Sequence, residues 1–244
     1  MQKARRSPDP SAPSHRAPKS KPAAKATRIN DSEASRADIL TVATREFSEK
    51  GLAGARVDEI AERTNTSKRM IYYYFGSKEG LYRAVLERCY GHIRMSEAGA
   101  NIETLPPEEG LRQIVRHTFD YHNMHPDFVR LVMNENIHHG EHIGEVASIK
   151  TRNRTVVSTL KSLLDRGVKA GVFRSDIEPI ELHMTISALC FYNVSNRYTF
   201  SHIFEHDMTS AAAVSARREK VVDVIVRWVA ANPGGRAQRA ASSR

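Results

Sequence analysis

Cysteine is nearly absent from this chain. Cys89 and Cys190 are its two copies, far apart, with no CxxC pair and no histidine at metal-ligand spacing. A zinc finger and a disulfide framework are not indicated, and two buried free thiols in a reducing cytoplasm are expected. Long apolar runs are missing as well. No stretch approaches the roughly 18 apolar residues of a membrane-spanning helix, and the first residues have no apolar signal-peptide core. The expectation is a soluble cytoplasmic protein without a membrane partner. The marks of catalysis are also lacking: no paired acid and base, no phosphate-cradling glycine loop and no metal set rises above chance. Neither an enzyme nor a cofactor is implied.

Charge is unevenly spread. Lys and Arg number 37 against 28 Asp and Glu, a net charge of +9. Residues 1–30 hold eight of the basic residues against the single acid Asp9, with five prolines and no hydrophobic periodicity. They read as a disordered basic arm, either a tether along DNA phosphates or a solubilising extension. The remainder, 29 basic residues against 27 acidic, is close to neutral. Affinity for nucleic acid there must come from local placement, with Arg56, Lys68, Arg69 and Lys78 the candidates.

The organising stretch is VDEIAERTNTSKRMIYYYFGSKEGL, Val57 to Leu81. Ile60 and Ala61 give a first short helix its apolar stripe, and Thr64, Asn65 and Thr66 end it. Ser67 then caps a second helix, Lys68 to Phe75, with Ile71 and Phe75 on its inner face. Lys68, Arg69, Tyr72 and Tyr73 are left to point outward. Basic residues at a helix N-terminus oppose the helix dipole, an arrangement that suits an approaching polyanion. An amphipathic helix precedes this unit, from Ser32 or Ser35 to about Lys50, with Ile39, Leu40, Ala43 and Phe47 inward and Gly51 at its end. After the Gly76-Ser77 turn, a helix from Lys78 to about Met95 carries Leu81, Val85, Leu86 and Cys89.

The run from Ile39 to Leu81, with Ile60-Ala61, the capping Ser67, IYYYF and SKEGL, resembles the DNA-binding domain of TetR-type (TetR/AcrR) regulators. Where that family commonly has Ala-Gly-Val before the capping serine, Thr64, Asn65 and Thr66 stand here. Asn65 can take the left-handed conformation that glycine would supply. The resemblance implies an all-α fold: a three-helix helix-turn-helix head over 31–80 and a larger helical body for effector binding and dimerisation over 81–232. Within the end NPGGRAQRAASSR, residues 233–244 read as a disordered tail. The resemblance further implies DNA contacts from Arg56, Ser67, Lys68, Arg69, Tyr72, Tyr73 and Lys78. It also implies a homodimer on a palindromic operator, most often a repressor released by a small organic effector. A constitutive architectural DNA-binding protein is the alternative.

Within the body, helices are expected from Pro106-Pro107, from Pro126, from about Ile143 to Ala170, from Pro179 to about Phe200 and from about Ala213 to Ala231. The helix after Pro179 is apolar nearly all round. The last one groups Val221, Val222, Val224, Ile225, Trp228 and Val229, more apolar surface than one small body easily hides. The resemblance implies that the last two helices pair with their twins in a four-helix bundle, which places Ile225 and Trp228 at a subunit interface. The string NMHPDFVRLVMNENIHHGEHI is similar in layout to a subgroup with a pyrimidine-responsive regulator and regulators of aromatic catabolism. Polar residues on otherwise apolar faces, His117, Tyr121, Asn134, His138, Tyr192, Asn193, Asn196 and Arg197, are the effector-binding candidates. His138, Glu141 and His142 also have metal-like spacing, but Gly140 interrupts the helix between them.

Overall fold

The computed structural model describes residues 23–98 and 102–231. Ten α-helices make up the described chain: α1 Ala23–Gly54, α2 Val57–Arg63, α3 Lys68–Phe75, α4 Lys78–Ala98, α5 Pro107–Met124, α6 Pro126–Ile137, α7 Ala147–Ala170, α8 Pro179–Ser195, α9 Arg197–Phe204 and α10 Ala211–Val229. Short 3-10 turns, Ile102–Thr104 and Ile143–Glu145, lead into α5 and α7. No helix among the described residues is long and apolar enough to cross a membrane.

Several boundaries depart from expectation. Helix α1 begins at Ala23, so residues 23–30 are helical where a disordered arm was expected, while residues 1–22 and 232–244 lie outside the described residues. Gly51 does break α1, at φ 67°, but one further turn follows to Gly54. The helix expected from Ile143 starts at Ala147 after a 3-10 turn. The single helix expected from Pro179 to Phe200 is two, separated at Asn196.

Two cores organise the packing. The first joins Ile39, Ala43 and Phe47 of α1 with Ile60, Ile71, Leu81 and Val85, and it takes in Leu131 of α6 and Ile149 of α7. The core under the helix-turn-helix thus includes side chains of the body. The second core gathers Leu111 and Phe119 of α5, Leu160 and Leu163 of α7, Leu182 and Ile186 of α8, and Val222 and Ile225 of α10. Ile225 is 0% exposed in the single subunit, which corrects its expected place at a subunit interface, while Trp228 is half-buried. Of the large apolar side chains of α8 and α10, Ile180, Met184, Tyr192 and Val224 face water, exposed by 54%, 57%, 43% and 53%. Cys190 is buried and Cys89 half-buried, and burial pushes their thiols up to about 12 and about 11.

A polar joint closes the seam between the cores. Buried Glu135 of α6 accepts the Ile143 backbone N–H at 2.9 Å and lies 3.4 Å from His142 Nδ1. It also hydrogen-bonds the hydroxyl of Tyr82, whose ring packs edge-on against Phe47 of α1 and against His142. One carboxylate thus ties α4, α6 and the segment entering α7, beside the α1 ring.

Candidate nucleic-acid interface and body cavity

The recognition geometry is built from caps and close approaches. Asn65 takes φ 48°, the left-handed turn expected of it. Ser67 Oγ accepts the Met70 N–H at 3.2 Å and opens α3. Ile71 is fully buried under α3, and Phe75 is half-buried beneath the guanidinium of Arg36. On the start of α4, a Cβ at Gly80 would fall 2.0 Å from the Phe75 carbonyl oxygen, so only glycine lets α3 and α4 meet at this angle.

The opposite face of α3 is open. Ser67, Lys68, Arg69, Tyr72 and Tyr73 are all exposed, Tyr73 by 78%. Lys68 pairs with Asp58 at 3.1 Å across the turn; both side chains are about half exposed, so the pair contributes little and leaves the lysine available to a phosphate. Arg56 extends into solvent from the start of α2. Its backbone N–H donates to Oε1 of Glu46 at 3.2 Å, and the fully buried Glu46 also pairs with Lys50 at 2.8 Å. Sequence reasoning missed this carboxylate, which caps α2 from another helix. Lys78 is half-buried and donates to the Ala53 carbonyl at 3.2 Å, leaving two ammonium hydrogens for a phosphate.

In the body, a cavity of about 650 Å³ lies between α4, α5 and α7. Its apolar wall comes from Ile102, Ile114, Val156 and Leu160, and its polar wall from Arg94, His117, Arg152, Thr155 and Thr159. His117 Nε2 is 3.0 Å from Ser96 Oγ, whose hydroxyl donates to the Ile93 carbonyl at 2.9 Å; the imidazole is then the donor. Burial lowers the His117 pKa, which keeps the ring neutral.

Of the other residues expected at an effector site, none lines this cavity. Tyr121 is buried with its hydroxyl 3.1 Å from His92 Nδ1. Asn193 and Arg197 converge on Asn123 Oδ1, each at 3.2 Å, where α5, α8 and α9 meet. Asn134 donates to the Phe47 carbonyl at 3.4 Å and so belongs to the joint between the cores. His138 is exposed, bonded through Nδ1 to the Asn134 carbonyl at 2.8 Å, and Tyr192 is exposed too. Asn196 caps α8. Among the described residues no group of three His, Cys, Asp or Glu side chains could hold a metal ion. The cavity's arginines were missed because each reads alone as a surface helix residue. The one signal available was Gly91, a glycine inside a helical pattern.

Known proteins share this architecture. Residues 39–85 match the family described as bacterial regulatory proteins, tetR family, and residues 107–225 match the tetracyclin repressor-like C-terminal domain. The transcriptional repressor NicS of Pseudomonas putida is 34% identical over 186 residues, which cover 76% of this chain and 88% of NicS. The transcriptional regulator RutR of Escherichia coli is 34% identical over 93 residues, 38% of this chain and 43% of RutR. The solved structure of SCO4942 from Streptomyces coelicolor has a TM-score of 0.62 at 27% identity, over 80% of this chain and 98% of that one. With its capped recognition helix, its two matched segments and a relative spanned nearly end to end, this chain belongs to the TetR family of DNA-binding transcriptional regulators.

Proposed function

We propose that the protein is a cytoplasmic, homodimeric repressor that holds a palindromic operator through one α3 helix per subunit and releases it when a small organic effector enters the cavity between α4, α5 and α7. The observation that carries this reading is the position of the cavity: Gly91, Arg94 and Met95 of its wall stand on the helix that packs directly on α3. A ligand that fits the cavity only in one tilt of α4 would shift the population of heads that match the operator. Arg69, Tyr72 and Tyr73 reach base edges in this reading, while Arg56, Ser67, Lys68 and Lys78 hold phosphates. A second copy supplies the second half-site, and Ile180, Met184 and Val224 are exposed apolar groups that it would cover.

The test is a footprint on a fragment that the full chain selects from genomic DNA, read beside sedimentation of the complex. Two half-sites related by a dyad, with a dimer bound, are expected. Protection without sequence preference or dyad would replace the repressor by a constitutive architectural protein.

A further inference from the structure

Among the described residues, two arginines and one carboxylate stand in the cavity's wall. Arg94 comes from α4 and Arg152 from α7, while Glu103, its single acidic wall residue among the described ones, is exposed on the 3-10 turn at its edge. Burial, and after it the positive charge of Arg94, holds the imidazoles of His122 and His183 toward the neutral form. A cation entering this space would meet like charge; an anion would not.

The seat of Arg152 is built into the neighbouring helix. Gly91 is buried in the middle of α4, and a Cβ there would fall 2.3 Å from Arg152 Nη1. Glycine inside a helix is destabilising relative to alanine, so here it gives the guanidinium a place against the α4 backbone. Arg152 itself makes no hydrogen bond or ion pair among the described residues, and its planar fork is suited to a carboxylate or a similar oxyanion. The remaining walls, Ile102, Ile114, Val156 and Leu160, are apolar and suit a hydrocarbon or aromatic body.

We infer that the effector is a small organic anion, its charged group held at Arg152 beside Gly91 and its apolar body against Ile114, Val156 and Leu160. This rests on the reading of the cavity as the effector site.

Two fluorescent probes with one apolar body separate the claims: 1-anilinonaphthalene-8-sulfonate and its uncharged parent, N-phenyl-1-naphthylamine, each titrated into the full-length protein. The sulfonate is expected to bind at least about tenfold more tightly than the parent. Arg152→Gln should erase that preference and leave the neutral probe within about twofold of its original Kd. Gly91→Ala, which displaces the guanidinium while favouring the helix, should do the same. Val156→Trp, filling the cavity, should abolish both titrations with the circular dichroism of wild type. Equal binding of the two probes, or a preference that survives both Arg152→Gln and Gly91→Ala, overturns the anion and leaves the effector site standing. If neither probe binds, or if Val156→Trp leaves both titrations intact, the cavity is not a ligand site and both readings fall.

Discussion

In the described head, from α1 to α3, Glu46 is the one charged side chain that is buried; its Oε1 accepts the Arg56 N–H and pairs with Lys50, while its Oε2, 3.6 Å from Arg63, makes no hydrogen bond, and the other charges reach water. The body keeps His122, Glu135 and Asn193 inside, and Nδ1 of His122 and Nε of Arg197 have no hydrogen-bond partner. The difference follows from what each region must do. A head that reads DNA needs a fixed surface, so its charges are displayed or, at Glu46, held between the lysine and arginine of its own helices. A body that must respond to a ligand keeps polar groups inside, where a small change of occupancy alters their satisfaction.

That contrast can be broken at several points. The largest effect is expected from Met184→Glu together with Val224→Glu, which place carboxylates on the exposed apolar faces of α8 and α10. Sedimentation should show a folded monomer, and operator affinity should fall toward the nonspecific level, by about 4 kcal/mol or more. A soluble double variant that remains a dimer would put the interface elsewhere. Ile225→Asp acts differently, because the buried residue sits in the body core: urea unfolding should lose about 3–5 kcal/mol, whereas a stable monomer would restore Ile225 to a subunit interface.

Acid should distinguish the two regions next. Burial, then the charges of Arg94 and His183, push His122 down to about 4 from 6.5. Between those values the unfolded chain binds a proton that the folded one refuses. Its contribution is complete above pH 6.5 and falls by up to roughly 3 kcal/mol as the pH drops through 4. Denaturation series at both ends of that window, with His122→Phe as the flattened control, measure it.

In the head, Arg69→Ala and Tyr73→Ala should each weaken specific binding by about 1–3 kcal/mol without moving the melting temperature. Unchanged operator affinity and sequence preference would remove that residue from the base-reading set. Smallest is Lys78→Ala, expected to weaken specific and nonspecific DNA alike and to lower the salt slope by about one unit. An unchanged slope would leave Lys78 as a tether for the Ala53 carbonyl alone.

The head was legible because its signals are local. Ser67, Asn65 and the Ile60-Ala61 pair each act within one turn of their own position, and each does what its chemistry dictates in the structure. The body was legible only as helices. Its cavity draws on α4, α5 and α7, so no window of sequence contains it, and most of the polar residues singled out there proved to be links between helices. Ile225 was misplaced for a related reason: an apolar helix face announces burial but not whether its own subunit or another provides the cover. The break at Asn196 carries no proline or glycine and gave no warning.

The reach of the first core into Leu131 and Ile149, with Glu135 bridging beside it, bears on how such a regulator can be recombined. A chimera cut between α3 and α4 would carry a recognition surface away from the side chains that seal its underside. A graft that keeps α1 to α4 intact would still have to match a foreign α6 to Phe47 and Tyr82. The exchangeable part is thus a complementary contact surface, discontinuous in the chain, and new operator specificity is more readily installed by rewriting the exposed positions of α3 on the resident scaffold.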